Sequence, residues 1–318
     1  MKILITGSAG FIGFSLAELL LKKKINVTGI DNFDNYYSPK YKKKRNNILK
    51  RYKNFSFKKI DITSKKKINN FFKKNNFNII FHFAAQAGVR YSIINPNKYK
   101  KVNVDGFKNI LDSVKLVKNQ KIFYASSSSV YGDSKVFPLK ESSKLYPKNV
   151  YALSKSSNEK IAKIYNKKFN LDLIGLRFFT VYGEWGRPDM LLFKLLKSYK
   201  QNKVFYLNNK GDHFRDFTNI KDVINILYKL IFIKNVKHKI LNVCSSNPIN
   251  IKKIIDNFCK LYKFEKIKYV KKNKLEVYKT YGSNKLIKKI TKFKDFTNFE
   301  KGLKKTFLWY LKNSIWKY

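Results

Sequence analysis

The chain has 318 residues, 44% apolar and 16% aromatic, enough for two domains, or one large domain with an appendage, around a sizeable core. Two cysteines, Cys244 and Cys259, exclude a disulfide framework and fit a reducing cytoplasm, and no stretch approaches the ~20 apolar residues that span a bilayer. The net charge of +49 would suit a nucleic-acid or membrane binder, but the lysine runs (Lys22–Lys24, Lys42–Arg45, Lys65–Lys67, Lys271–Lys274) are scattered through a chain rich in Lys, Asn, Ile, Phe and Tyr, as biased genome composition produces.

The opening "MKILITGSAGFIG" reads as a strand, Lys2–Thr6, running straight into glycines. No basic segment precedes the apolar residues, so it is not expected to be a signal peptide. Gly7, Gly10 and Gly13 follow the strand and open a helix expected over Phe11–Lys24. The spacing differs by one residue from Gly-x-Gly-x-x-Gly, but the logic is the same: backbone approaching a pyrophosphate has no room for a Cβ, and a helix N-terminus supplies N–H donors. Asp31 ends a second strand, Ile25–Asp31. A carboxylate there accepts hydrogen bonds from the adenosine ribose and repels a 2′-phosphate, so NAD is expected rather than NADP. The competing reading is that Asp31 caps a turn with Asn32. A third strand, Ser56–Asp61, would end with Asp61 and Ile62 beside the adenine. A fourth, Ile79–Phe83, would end in Phe83-Ala84-Ala85, whose small residues admit the nicotinamide ribose.

Helices are expected at Lys65–Lys74, Asn103–Lys118 and Val150–Phe169, and strands at Lys121–Ser126 and Leu171–Phe178. Alternating strands and helices imply a parallel, doubly wound α/β sheet of the Rossmann type. Val104, Phe107, Ile110, Leu111 and Val114 mark one face of the Asn103 helix and suit either the core or a homodimer interface. Beyond residue 178 the pattern loosens into helices at Leu191–Lys200, Ile220–Phe232, Ile251–Leu261 and Glu300–Lys312, with short strands at Lys203–Tyr206 and Ile240–Val243. Residues 1–178 are thus read as the dinucleotide-binding domain, to which later segments return. Residues 179–318 are read mainly as a smaller substrate-binding α/β region.

"YALSK" puts Tyr151 and Lys155 four residues apart on one helix face. A lysine ammonium nearby favours phenolate and lowers the tyrosine pKa. Such a tyrosine can take a proton from a sugar hydroxyl. His82, His213 and His238 share no spacing suited to a metal, and His82, inside a buried strand, reads as a core residue.

The glycine turn, "HFAAQAGVRYS", "YASSSSVYG", "YALSK" and "LRFFTVYGEWGRPDM" together resemble the extended short-chain dehydrogenase/reductase superfamily, and within it the NAD-dependent UDP-glucuronate 4-epimerases. The likeness runs to about residue 230. At "KKNKLEVYKTYGS", Lys274, Leu275 and Glu276 replace the family's usual turn. The resemblance implies a C4 epimerisation: NAD⁺ accepts hydride from C4 as Tyr151 takes the O4 proton, the 4-keto sugar turns over, and hydride returns to the other face. It implies Ser127 as the hydroxyl that bonds O4. It implies cofactor contacts at Phe11, Ile12, Asn32, Asn103 and Ser126 besides the residues above. Dehydratase relatives carry an Asp-Glu pair before Val-Tyr-Gly, and decarboxylase relatives a Glu; here Ser128 and Ser129 stand there. A 4-keto glucuronate is prone to lose CO₂, so its carboxylate must be held. Arg187 is the expected clamp, with Ser128, Ser129 and Thr180 as hydroxyl donors. Its alternative is an ion pair with Glu184 or Asp189. Arg215 is expected on the substrate phosphates, or else paired with Asp212 or Asp216. Arg90 is expected on the diphosphate or a partner-facing loop. Two alternatives remain: a 4-epimerase of a neutral UDP-hexose or UDP-N-acetylhexosamine, and a non-catalytic basic binder on an NAD fold.

Overall fold

The structure is a computed structural model that describes residues 1–117, 120–233, 239–271, 277–314 and 317. His238 and the departures at Lys274, Leu275 and Glu276 lie outside the described residues. The chain divides into two compact units. The first comprises Met1–Val130, Pro147–Arg177 and Ile224–Leu241; the second comprises Tyr131–Tyr146, Phe178–Val223 and Asn242–Tyr318.

The first unit is built on a seven-stranded sheet. Its strands are Lys2–Thr6 (β1), Asn26–Asp31 (β2), Phe55–Lys59 (β3), Ile79–His82 (β4), Lys121–Ser127 (β5), Asp172–Phe178 (β6) and Lys239–Val243 (β7). Their order is β7-β6-β5-β4-β1-β2-β3. The pairs β1/β2, β1/β4, β2/β3 and β4/β5 are parallel. The order reverses between β1 and β4, and a doubly wound sheet binds its ligand outside the strand carboxyl ends at such a switch point. β1 and β4 are apolar runs buried on both faces, as interior parallel strands are. β3 lies at the edge, where Lys58 and Lys59 keep the open side charged.

The helices of this unit are Phe11–Lys22 (α1), Pro39–Leu49 (α2), Lys65–Lys73 (α3), Gly106–Val114 (α4) and Val150–Phe169 (α5), with two short turns at Tyr91–Ile94 and Pro96–Tyr99. α4 decides a question the periodicity leaves open. Phe107, Ile110, Leu111 and Val114 are fully buried in one cluster with Ile68, Phe71 and Phe72 of α3 and with Ile80, Ile122 and Tyr124 of the sheet. They are core, not interface. At about 1.5–3 kcal/mol per buried side chain, this face is a main support of the sheet. The helix expected from Asn103 begins instead as a π-helical turn, Lys100–Asp105, with Asn103 inside it.

Other departures have local causes. α1 stops at Lys22 because Lys24 takes a left-handed φ of 58°. β3 ends two residues before Asp61, whose carboxylate accepts the Thr63 amide and turns the chain. α2 was not expected. Its buried face is Tyr41, Lys42, Arg45, Asn46 and Leu49, so this basic run is a helix with two cations turned inward.

The second unit holds a three-stranded sheet of Pro248–Asn250, Phe214–Asn219 and Thr180–Tyr182. The first pair is antiparallel and the second parallel. Phe205–Asn208 and Ile267–Val270 form a separate parallel pair. The expected strand Lys203–Tyr206 shifts onward because Asn202, at φ 51°, and the Lys203 amide bonded to the Ser198 carbonyl still belong to the end of helix Leu191–Lys200. Helices Ile251–Tyr262 and Phe299–Asn313 close an aromatic cluster in which Phe258 packs on Tyr199, Tyr262, Phe264 and Phe307.

Candidate active site

The glycine turn is a tight piece of backbone. Gly7 has φ +73°, and a Cβ on it would lie 2.7 Å from the Ala84 nitrogen. A Cβ on Gly13 would lie 2.2 Å from the Gly7 carbonyl oxygen. The Gly10 amide donates to the Gly7 carbonyl (2.9 Å), and the Phe14 amide to the Gly10 carbonyl (2.9 Å), which starts α1. No side chain caps that start and no acid sits in its first turn, so Phe11, Ile12 and Gly13 open a helix whose positive end suits an anion.

The segment after β4 lies against this turn. Thr6 accepts the Phe83 amide on its carbonyl and the Ala84 amide on its Oγ1. The Thr6 hydroxyl is also hydrogen-bonded to His82 Nδ1 at 2.9 Å. Burial pushes the His82 pKa down to about 3, so the ring is neutral and stacks on Phe107 as a core residue. Gly7, Phe83, Ala84 and Ala85 are therefore gathered at the switch point.

Asp31 closes β2 beside the same turn. Its carboxylate accepts the Ala9 amide (3.1 Å) and the Phe33 amide (2.8 Å), so it does cap the turn that follows β2. Each oxygen keeps a further lone pair for a ribose hydroxyl. Burial pushes the carboxyl above its usual range, opposed by those amides and by Lys42 and Arg45. Asn32 donates to Asp61 at 2.9 Å, which joins the ends of β2 and β3. Ile62 turns into the core, against Gly106. The turn that a Cβ would fill, the open helix start and Asp31 together fit an NAD molecule.

α5 carries the reactive pair. Asn149 caps it by accepting the Ala152 amide (2.9 Å). Tyr151 follows in the first turn, half-buried, its ring edge-on to Tyr99. Lys155, one turn on, is buried; its Nζ donates to the Ala125 carbonyl at 2.8 Å and lies 6.0 Å from the Tyr151 ring centre. Burial lowers its pKa to about 8. The β5 carboxyl end, Ala125-Ser126-Ser127, is thus tied to Tyr151's own helix. Ser127 Oγ accepts the Ser129 amide and donates to Ser129 Oγ, folding Ser128–Tyr131 into a 3₁₀ turn. Ser126 Oγ donates to Glu159 at 2.6 Å. Asn103 accepts the Gln86 amide and donates to the Gln86 carbonyl and to Ser154. It joins the post-β4 loop to α5, which is the visible task of its side chain. Arg90 is exposed at the start of the short turn Tyr91–Ile94.

In the second unit, Thr180 begins its strand half-buried. Arg187 forms the ion pair named above as its alternative, donating to Asp189 through Nε (3.0 Å) and Nη2 (2.5 Å). Glu184 pairs with Lys221. Arg215 lies in the strand Phe214–Asn219, which is not among the expected strands, and its Nη1 donates to the Phe214 and Tyr278 carbonyls. The Asp216 carboxylate turns inward to Ser245 and the Gly282 amide.

Sequence reasoning missed Glu159 and Arg177. The available signal was spacing: Glu159 follows Lys155 by four and Tyr151 by eight on one helix face. Among the described residues, no group of His, Cys, Asp or Glu is placed to hold a metal, and no helix is long and apolar enough to cross a membrane.

Residues 3–244 match the model of the NAD dependent epimerase/dehydratase family. Protein MJ1055 of Methanocaldococcus jannaschii is 40% identical over 99% of this chain and 98% of its own. A UDP-glucuronate 4-epimerase of Thermodesulfobacterium geofontis is 36% identical over 98% of this chain and 96% of its own. The crystal structure of UDP-glucuronic acid 4-epimerase from Bacillus cereus, in complex with UDP-glucuronic acid and NAD, superposes with a TM-score of 0.92 at 27% identity, covering 98% of this chain and all 100% of that one. The glycine turn, the sheet order and the family match agree: this chain belongs to the NAD-dependent epimerase/dehydratase family.

Proposed function

We propose that the protein is a UDP-glucuronate 4-epimerase, interconverting UDP-glucuronate and UDP-galacturonate. The observation that carries the reading is the corner where Lys155 donates to the Ala125 carbonyl beside Tyr151 while serines occupy positions 127 to 129. The name of the T. geofontis relative and the ligands of the B. cereus structure support it.

NAD, when bound, supplies a reversible electron-pair acceptor for the sugar C4. The glycine turn and α1 start would hold its pyrophosphate, Asp31 its ribose, and Asp61 with Ile62 the adenine end. Tyr151 takes the O4 proton as general base and returns it as general acid; Lys155, as ammonium, stabilises the phenolate that precedes the first transfer and follows the second. Ser127 bonds O4. The sugar passes through a 4-keto form that shows either face. That form is a β-keto acid, and no acid at Ser128 or Ser129 assists loss of water or CO₂. Arg187 holds the substrate carboxylate, a group it already grips in Asp189. Thr180 adds a hydroxyl, and Arg215 and Arg90 meet the diphosphate. The first unit is the dinucleotide-binding one and the second the nucleotide-sugar-binding one. The enzyme acts in the cytoplasm, where its two free thiols stay reduced. It forms a homodimer through α5, which leaves Leu153 and Ile164 exposed three turns apart on one face.

Chromatographic assay of the purified protein tests the substrate. It should convert UDP-glucuronate without added NAD. Ready conversion of UDP-glucose or a UDP-N-acetylhexosamine with UDP-glucuronate untouched would favour the neutral-sugar alternative and sink this reading.

A further inference from the structure

Glu159 and Arg177 form a buried ion pair beneath the reactive corner, with side chains 8% and 4% exposed. Arg177, on β6, donates through Nε to Oε1 (2.9 Å) and through Nη2 to Oε2 (2.7 Å), a two-point fork. The same Oε1 accepts the Ser126 hydroxyl at 2.6 Å. One residue earlier, the Ala125 carbonyl accepts Lys155. Two successive residues of β5 are therefore tied to two successive turns of α5.

Stability alone does not account for the pair. Replacing a buried ion pair with apolar side chains of similar volume is often neutral or stabilising, because desolvation offsets the attraction. What such side chains could not do is accept a hydrogen bond from the Ser126 hydroxyl. By donating that hydrogen bond to Glu159, the Ser126 side chain is fixed toward α5. Ser127, the next residue of the strand, then points to the opposite face. There its Oγ meets Ser129 and, in the proposed reaction, O4.

We infer that Glu159, oriented by Arg177, is a positioning residue that sets the direction of Ser127 through Ser126. The inference rests on the catalytic roles proposed above. Three variants test it: Ser126→Ala, the double Glu159→Met/Arg177→Met, and their combination. Ser126→Ala removes one oxygen and should lower kcat roughly ten-fold, with KM for UDP-glucuronate within about two-fold and bound NAD retained. The double variant leaves no stranded charge and should lower kcat roughly 10²-fold, as a displacement of about 1 Å does. The triple variant should fall no further than the double. A double variant that loses thermal stability but keeps kcat would overturn the inference, as would an unaffected Ser126→Ala or losses that multiply in the triple. If wild type turns over only a neutral UDP-sugar, the substrate reading fails and the same series is run on that sugar. A crystal structure of the double variant needs no substrate. Ser127 Oγ should shift by about 1 Å, and an unmoved Ser127 refutes the inference.

Discussion

The two units hold their candidate residues in different ways. In the first, four candidates are fixed by backbone or by buried partners: Gly7 against Ala84, Lys155 on the Ala125 carbonyl, Asn103 on Gln86, Asp31 on Ala9 and Phe33. In the second, Arg187 is a quarter exposed and bound to a neighbouring carboxylate, while Arg215 is half-buried and rests on two carbonyls. The chemistry common to a family of reactions needs fixed geometry. The choice of sugar needs groups that can exchange one partner for another. Substitution of those four residues should therefore reduce the reaction whatever the sugar, and substitution of Arg187 should change which sugar reacts.

The largest effect is expected at Tyr151. Tyr151→Phe removes the general base and should lower kcat by about 10³-fold, with unchanged melting temperature and retained NAD; steady-state kinetics and a thermal melt check it. Gly7→Ala comes next. It forces a Cβ to 2.7 Å from the Ala84 nitrogen at φ +73°, at a cost of about 1–3 kcal/mol. It should release bound NAD, read as absorbance after gel filtration. Arg187→Ala should lower kcat/KM for UDP-glucuronate by roughly ten- to a hundred-fold, the worth of a charge-assisted hydrogen bond. Its activity on a neutral UDP-sugar, if any, should not fall with it. Its melting temperature should barely change, since a part-exposed pair contributes little. An equal loss on both kinds of sugar would erase the contrast between the units.

The pH dependence should show the smallest change. Burial holds Lys155 at about 8, so the ammonium beside Tyr151 is lost as pH rises through 8, and kcat should fall there. Stability moves the other way. The folded-state pKa is depressed below 10.5, so the unfolded chain binds the proton more tightly, and Lys155's contribution to folding rises between about pH 8 and 10.5. A kcat profile flat from 7 to 9.5 would show that the charge on Lys155 is not used.

How much was legible follows from the same physics. β1 and β4 announce themselves because their apolar runs and the burial these produce coincide. The glycine turn is legible because only glycine tolerates that approach to Ala84. α2 is hidden because Tyr41, Lys42 and Arg45 turn inward, where Arg45 lies over the Tyr41 ring and donates to the Ala9 carbonyl. The strand carrying Arg215 is hidden because its partners, Thr180–Tyr182 and Pro248–Asn250, are three residues long and distant in sequence. The Glu159–Arg177 pair joins a helix to a strand eighteen residues on, a contact no local pattern encodes. Arg187 was read as a substrate clamp through family likeness; its own geometry shows the Asp189 pair.

The central claim is that C4 is inverted by removing and returning the same electron pair while Tyr151 carries only the hydroxyl proton. UDP-glucuronate deuterated at C4 tests it directly. The account predicts UDP-galacturonate with the deuterium kept at C4 and none lost to water, without added NAD. Washout of the label to solvent, or no product, would contradict it.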